Sequence, residues 1–110
     1  IMIKNIADVL ARLSAISVLQ KRIAYDHFST APKLPFLTYS FEQSSEGADN
    51  YHNLLGTNVS LELYQESRDF ELEKRIIKIF SDVEVTIDCE YIEKENLYET
   101  IFYFSFYEKI

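Results

Sequence analysis

Residues 58–65 read NVSLELYQ, and apolar side chains alternate with polar ones from Asn58 to Tyr64. In an extended chain, Val59, Leu61 and Leu63 fall on one side and their polar neighbours fall on the other. This period of two predicts a β-strand that buries one face against a core.

A helix is predicted directly after this strand. Asp69 is a favourable N-cap, and Glu71 and Glu73 precede the basic residues of positions 74–78. Acids first and bases last match the dipole of a helix. Its expected buried stripe consists of Leu72, Ile76, Ile79 and Phe80.

The chain before the strand predicts another helix and two more strands. Residues 3–13 have apolar positions at steps of three and four, namely Ile3, Ile6, Ala7, Leu10 and Leu13. Residues 23–25 predict a short strand, and the two prolines in 31–35 exclude helix there. A strand over 36–42 and a polar loop over 43–56 are predicted next.

Two strands and a turn are predicted at the end of the chain. Residues 85–91 alternate again, and 93–96 have the polar composition of a hairpin turn. The strand over 98–107 is rich in aromatic residues. Phe102, Phe104 and Phe106 share one of its faces, and Ile101, Tyr103 and Tyr107 share the other. Both faces are therefore expected to be covered, either by one helix each or by a partner subunit on the second face.

The predicted order is α-β-β-loop-β-α-β-β over a single domain, residues 1–110. It corresponds to an α+β fold in which a mostly antiparallel sheet of four to five strands packs against two helices. A chain of 110 residues is long enough to bury one core.

Charge and cysteine content exclude several classes of protein. The formal net charge is −7, and residues 82–110 contain eight of the 18 acidic and only two of the 11 basic side chains. Such a balance argues against a general DNA-binding protein, which needs a basic face. No apolar run is long enough for a membrane span. The single Cys89 excludes an internal disulfide and a multi-cysteine metal site, and suits a reducing cytoplasm.

The reactive side chains do not form a catalytic or metal-binding pattern. Cys89 lies between two acids that disfavour a thiolate, so it is interpreted as a small core residue. His27 and His52 have no ligand spacing and are interpreted as solvated or hydrogen-bonded. Asp88 and Glu90 share one side of a strand that Glu99 can approach across the hairpin. Their segment lacks the glycine of a calcium loop, so an acidic face for a basic partner is the preferred interpretation.

Several segments, taken in order, resemble one family. They are residues 34–39 (LPFLTY), 48–50 (ADN), 59–64 (VSLELY), 69–74 (DFELEK) and 91–100 (YIEKENLYET). This series resembles the small tail-completion proteins of long-tailed bacteriophages and prophages, also called tail-to-head joining proteins. The resemblance covers nearly the whole chain and involves no catalytic signature.

The resemblance implies a virion structural protein that is assembled in the host bacterial cytoplasm. It implies a ring, typically a hexamer, that caps the tail tube and docks onto the head connector or stopper protein, leaving a channel for DNA. It implies no enzyme activity and no cofactor. The charge balance and the lack of a long apolar run add the expectation of no specific nucleic-acid binding and no membrane association.

A ring of identical subunits needs two different complementary patches on each subunit. We expect these contacts to come from the loop over 43–56 and from the exposed face of the last strands. The candidate interface residues are Tyr51, Leu54, Leu55, Tyr103 and Tyr107.

Two other classes remain open from the sequence. A small non-viral interaction module or regulator would be a stable monomer with one partner. A ligand-binding or enzymatic α+β domain would have a deep pocket lined by His27 or Cys89.

Overall fold

The computed structural model describes residues 2–46 and 54–110. Its elements follow the predicted order. They are α1 (Ile6–Leu13), a short 3₁₀ turn (Ser17–Leu19), β1 (Ile23–Tyr25), β2 (Phe36–Glu46), β3 (Leu54–Gln65), α2 (Phe70–Ile79), β4 (Thr86–Ile92) and β5 (Leu97–Lys109).

The five strands form one sheet in the order β1-β2-β3-β5-β4. β1 pairs with β2 in parallel, and the other three pairings are antiparallel. The α+β class and the mostly antiparallel sheet with two helices are confirmed. Because β5 returns between β3 and β4, the aromatic strand is internal and pairs on both of its edges.

Both helices are capped by the side chain that precedes them. Asn5 accepts a hydrogen bond from the Asp8 amide, and Asp69 accepts one from the Leu72 amide. Each cap satisfies a backbone donor that has no partner within the helix. The predicted cap at Asp69 is confirmed.

The core lies between one face of the sheet and the two helices. Buried side chains from β3 and β5 meet buried side chains from α1 and α2, and the Phe80 and Phe104 rings stack with centroids 4.7 Å apart. The sheet contributes Val59, Leu61, Leu63, Phe102, Phe104 and Phe106, and the helical segments contribute Val9, Leu13, Leu72, Ile76 and Phe80. The inward faces predicted for β3 and β5 are therefore confirmed.

The polar loop is shorter than predicted. β2 continues to Glu46 and β3 begins at Leu54, with Gln43 opposite Thr57 and Ser45 opposite Leu55. Backbone pairing satisfies the amides and carbonyls whatever the side chains are, so polar residues can extend a hairpin. Leu54 and Leu55 accordingly lie on a strand and not in a loop.

One burial prediction is wrong in detail. Ala7 is exposed, and Val9 takes its place in the core. Arg12 of the same helix donates to Asp82 at 2.6 and 2.9 Å and to the Ile79 carbonyl at 3.0 Å. This contact lowers the pKa of Asp82 and joins α1 to the end of α2.

β4 is also less buried than its alternation suggests. Ile87 and Tyr91 are exposed and Cys89 is half-buried, although all three point to the helix side of the sheet. β4 is the last strand of the sheet, so its side chains have a neighbouring strand on one side only. The interpretation of Cys89 as a core residue is therefore only partly correct.

One charged side chain is buried in the helix layer. Glu73 of α2 forms a two-pronged ion pair with Arg68, at 2.7 and 3.1 Å. The Thr100 hydroxyl lies 3.5 Å from the same carboxylate. With the Gln65 amide oriented to satisfy its neighbours, it donates to Glu73 Oε2 at 3.1 Å and accepts from the Asp69 amide at 3.0 Å. Glu73 thus joins α2 to β3 and β5.

Candidate functional site: the open face of the sheet

The side of the sheet away from the helices, called the open face here, is the candidate site. Among the described residues, no helix packs on it, because both helices bury their apolar stripes against the other side. The open face therefore presents alternate residues of five strands to the surroundings. The sequence left open whether each face has its own helix, and the structure decides against that arrangement.

The candidate interface residues are distributed unequally. Tyr103 is 40% exposed and Tyr107 is 59% exposed, and both lie on the open face of β5. Leu54, at the start of β3, is on the same face and half-buried, whereas Leu55 points to the helix side. Tyr51 lies outside the described residues. The structure thus brings Leu54, Tyr103 and Tyr107 together on one surface and separates Leu55 from them.

Tyr107 also has a partner within the chain. Its ring lies over Gly56, the residue opposite it on β3, and a Cβ at Gly56 would be 3.1 Å from the ring. The absence of a side chain at Gly56 leaves room for the ring. Tyr107 therefore contacts the neighbouring strand within the chain, although it is the more exposed of the two tyrosines, and Tyr103 lies opposite Ser60.

Four acids gather on the open face where β3, β5 and β4 meet. Glu62, Glu99, Asp88 and Glu90 form this acidic corner, and Glu90 lies directly opposite Glu99. The predicted approach of Glu99 to Asp88 and Glu90 is confirmed. Like charges opposite one another destabilise a strand pair, so this corner favours a basic partner.

Two of these carboxylates share one hydroxyl. Tyr64 Oη lies 3.0 Å from Glu62 Oε2 and 2.8 Å from Glu99 Oε2. A hydroxyl has one proton and can donate it to only one of them. Burial, followed by hydrogen bonding to Glu99, raises the pKa of Glu62 to about 7, and the charge of Asp26 adds to this. Burial also raises the pKa of Tyr64, which stays protonated.

The segment between β1 and β2 covers the end of the open face at which β2 begins and β3 ends. Phe28 packs edge-on against Phe36, which stacks on Tyr64 with ring centroids 5.0 Å apart. Thr38, the neighbour of Glu62 on β2, is only 4% exposed, and its hydroxyl has no hydrogen-bond partner. The two prolines of this segment correctly exclude a helix. The sequence does not predict that the segment packs on the open face, because neither the prolines nor Phe28 indicate on which side of the sheet the chain runs.

The remaining titratable candidates do not form a reactive group. His27 Nδ1 lies 3.0 Å from Asp26 Oδ2 with both side chains exposed, and His52 lies outside the described residues. The Thr100 hydroxyl lies 3.5 Å from Cys89 Sγ. Within residues 2–46 and 54–110, no cluster of three or more acidic, histidine or cysteine side chains could hold a metal ion. A groove between α1 and β1, lined by Leu10, Leu19, Ile23 and Tyr39 among others, includes neither His27 nor Cys89.

The fold is similar to that of a chain in a solved structure. A chain of the solved structure titled "Virion of native gene transfer agent (GTA) particle" superposes on this chain with a TM-score of 0.65 and 13% sequence identity. The superposition covers 93% of this chain and 92% of that chain. The two chains share their fold over nearly their whole lengths.

No protein-family model and no curated protein matches the sequence. In the part of the chain that the structure describes, neither helix is long and apolar enough to cross a membrane.

Proposed function

We propose that the chain is a structural protein of a phage-like virion and forms a ring at the junction of head and tail. The observation that carries this proposal is the shared fold with a chain of a gene transfer agent virion, over 93% of one chain and 92% of the other. Two domains that superpose over nearly their whole lengths are consistent with a common structural role.

The open face supports an assembly role from the physical side. It is a broad sheet surface on which Tyr103 and Tyr107 of β5 are exposed, and it has four acids at one corner. Tyrosine is enriched at protein interfaces because its ring buries a large area at a small entropic cost. We therefore assign one of the two patches that form the contact between neighbouring subunits to this face, with Tyr103 and Leu54 as apolar contact residues.

The finer assignment follows the family resemblance of the sequence. In the proposed role, a hexameric ring caps the tail tube and binds the head connector or stopper protein, and DNA passes through its channel. It acts as a part of the virion, assembled in the host cytoplasm, without enzyme activity or cofactor.

The double variant Tyr103→Ser with Leu54→Ser tests this role. Loss of two apolar contacts from the open face is expected to shift the wild-type oligomer towards monomer at micromolar concentration, as measured by native mass spectrometry. Circular dichroism is expected to show an unchanged fold, because Tyr103 is exposed and Leu54 lies at a strand end.

Val18→Ser is the matched control. Val18 is 40% exposed, like Tyr103, but it lies in the 3₁₀ turn of the helix layer. It is expected to leave the oligomer intact. An unchanged oligomer in the double variant would show that the open face is not the subunit contact. A wild-type protein that remains monomeric up to 100-fold higher concentration would favour the non-viral interaction module instead.

A further inference from the structure

The outer surface of α2 and the acidic corner have opposite charge. On the outer side of α2, Lys74, Arg75 and Lys78 are all exposed, accompanied by the single acid Glu71. The acidic corner lies on the opposite side of the sheet. α2 packs directly behind that corner, since Glu73 contacts Thr100 and Phe80 stacks on Phe104, both on β5.

Neither charge set is neutralised within the described chain. Lys74 Nζ lies 3.6 Å from Glu71 Oε1 with both side chains largely exposed, which is a weak and exchangeable pair. On the open-face positions of the strands, the one described base is Lys109, which lies opposite Leu54 at the far end of β5. The acids of the corner therefore repel one another in the isolated subunit.

The spacing of the two charge sets is compatible. Lys74 and Lys78 are one helical turn apart, which separates them by about 6 Å along the axis. Asp88 and Glu90 are two residues apart on one face of β4, which separates them by about 7 Å. Two lysines of a helix laid along β4 can therefore each meet one carboxylate.

We propose that the basic outer surface of α2 of one copy docks on the acidic corner of the next copy. The contact joins two different surfaces, so it is head-to-tail and closes into a ring when the rotation between copies allows it. The occupant is a second copy because the complementary surface is present on this same chain, on the side that a head-to-tail ring requires. The inference rests on the proposed ring and specifies which surfaces form its contacts.

A charge-reversal experiment tests the pairing directly. One variant carries Lys74→Glu with Lys78→Glu, and the other carries Asp88→Lys with Glu90→Lys; all four side chains are exposed. In each variant, two surfaces of the same sign would meet, so self-association is expected to weaken at least about tenfold. In a 1:1 mixture, every contact joins opposite signs again, and assembly is expected to return. Sedimentation velocity at low and high salt measures both effects, and salt is expected to weaken the mixture.

The control for net charge is Lys21→Glu with Lys33→Glu. It changes the net charge by the same amount and in the same direction as Lys74→Glu with Lys78→Glu does, on exposed residues outside both surfaces, and we expect it to assemble as wild type does. If each reversed variant assembles like wild type, the pairing is wrong while the ring proposal stands. If the mixture stays dissociated although wild type forms a ring, the acidic corner binds a different basic partner and the inference is overturned. If wild type and the mixture both remain monomeric, the pairing and the self-assembled ring fail together.

Discussion

The Glu73→Ala variant is expected to unfold with a free energy about 3 kcal/mol lower than that of wild type. The change removes a buried carboxylate that forms two short contacts with Arg68 and accepts a hydrogen bond from Gln65. Removing one partner of a buried ion pair leaves the other without compensation. Arg68 is partly exposed and can be solvated, which places the cost at the low end of the range for such pairs. Urea unfolding followed by circular dichroism measures the difference.

The matched control is Glu71→Ala, in the same first turn of α2. It removes the same charge from the same end of the helix dipole. Glu71, however, is exposed, and its ion pair with the exposed Lys74 is long, at 3.6 Å. Its expected cost is below about 0.5 kcal/mol. Equal losses in the two variants would mean that Glu73 acts only through its charge in the first turn of the helix, as Glu71 does, and not through the buried contacts. In the Glu73→Ala background, a further Arg68→Ala change is expected to cost less than it does in wild type.

Wild-type stability is expected to fall as the pH rises from about 5 to 8, and Glu62→Gln is expected to abolish most of that fall. The pKa of Glu62 is about 7 in the folded protein, against 4.5 for an ordinary glutamate. A folded state that holds its proton more tightly is stabilised below the unfolded pKa, and it loses that stabilisation as the pH rises through the folded pKa. Glu62 is half exposed, so solvent screening reduces the expected change to about 1 kcal/mol.

Glutamine resembles the protonated carboxyl group, which makes the comparison specific. The two proteins are expected to match near pH 5, and the variant is expected to be the more stable near pH 8. The groups that face Glu62 are Glu99 on β5, Tyr64 on β3 and Asp26 after β1. Glu42→Gln is the control, since Glu42 is an exposed acid on the neighbouring β2. Parallel pH profiles for wild type and Glu62→Gln, measured by thermal unfolding, would contradict the assignment.

Local patterns predicted most of the fold. The alternation of 58–65 predicted β3 and its buried face, and the composition around Asp69 predicted where α2 begins. The polar residues of 43–46 were assigned to a loop because composition reports exposure, not pairing. Those residues belong to β2, since its backbone continues to pair with β3.

The candidate site was predicted only in part. Tyr103 and Tyr107 were identified because aromatic residues occupied both faces of one strand, and both are exposed on the open face. Glu62 and Tyr64 were assigned to the polar side of β3 without any role. Both residues contact Glu99, which is 35 or more positions away in the chain. A periodic pattern predicts the face of a strand but not a contact between distant residues.

The elements, the inward faces of β3 and β5, and the acidity of residues 82–110 can all be predicted from the amino-acid sequence. These properties follow from short-range periodicity and composition, which are local. Folding of the whole chain is needed to see that β5 lies between β3 and β4, that both helices cover the same face, and that the bases of α2 lie behind the acidic corner. Those features depend on strand order and on which face the helices bury. Both faces of β5 carry apolar residues, so its sequence pattern is compatible with helices on either face.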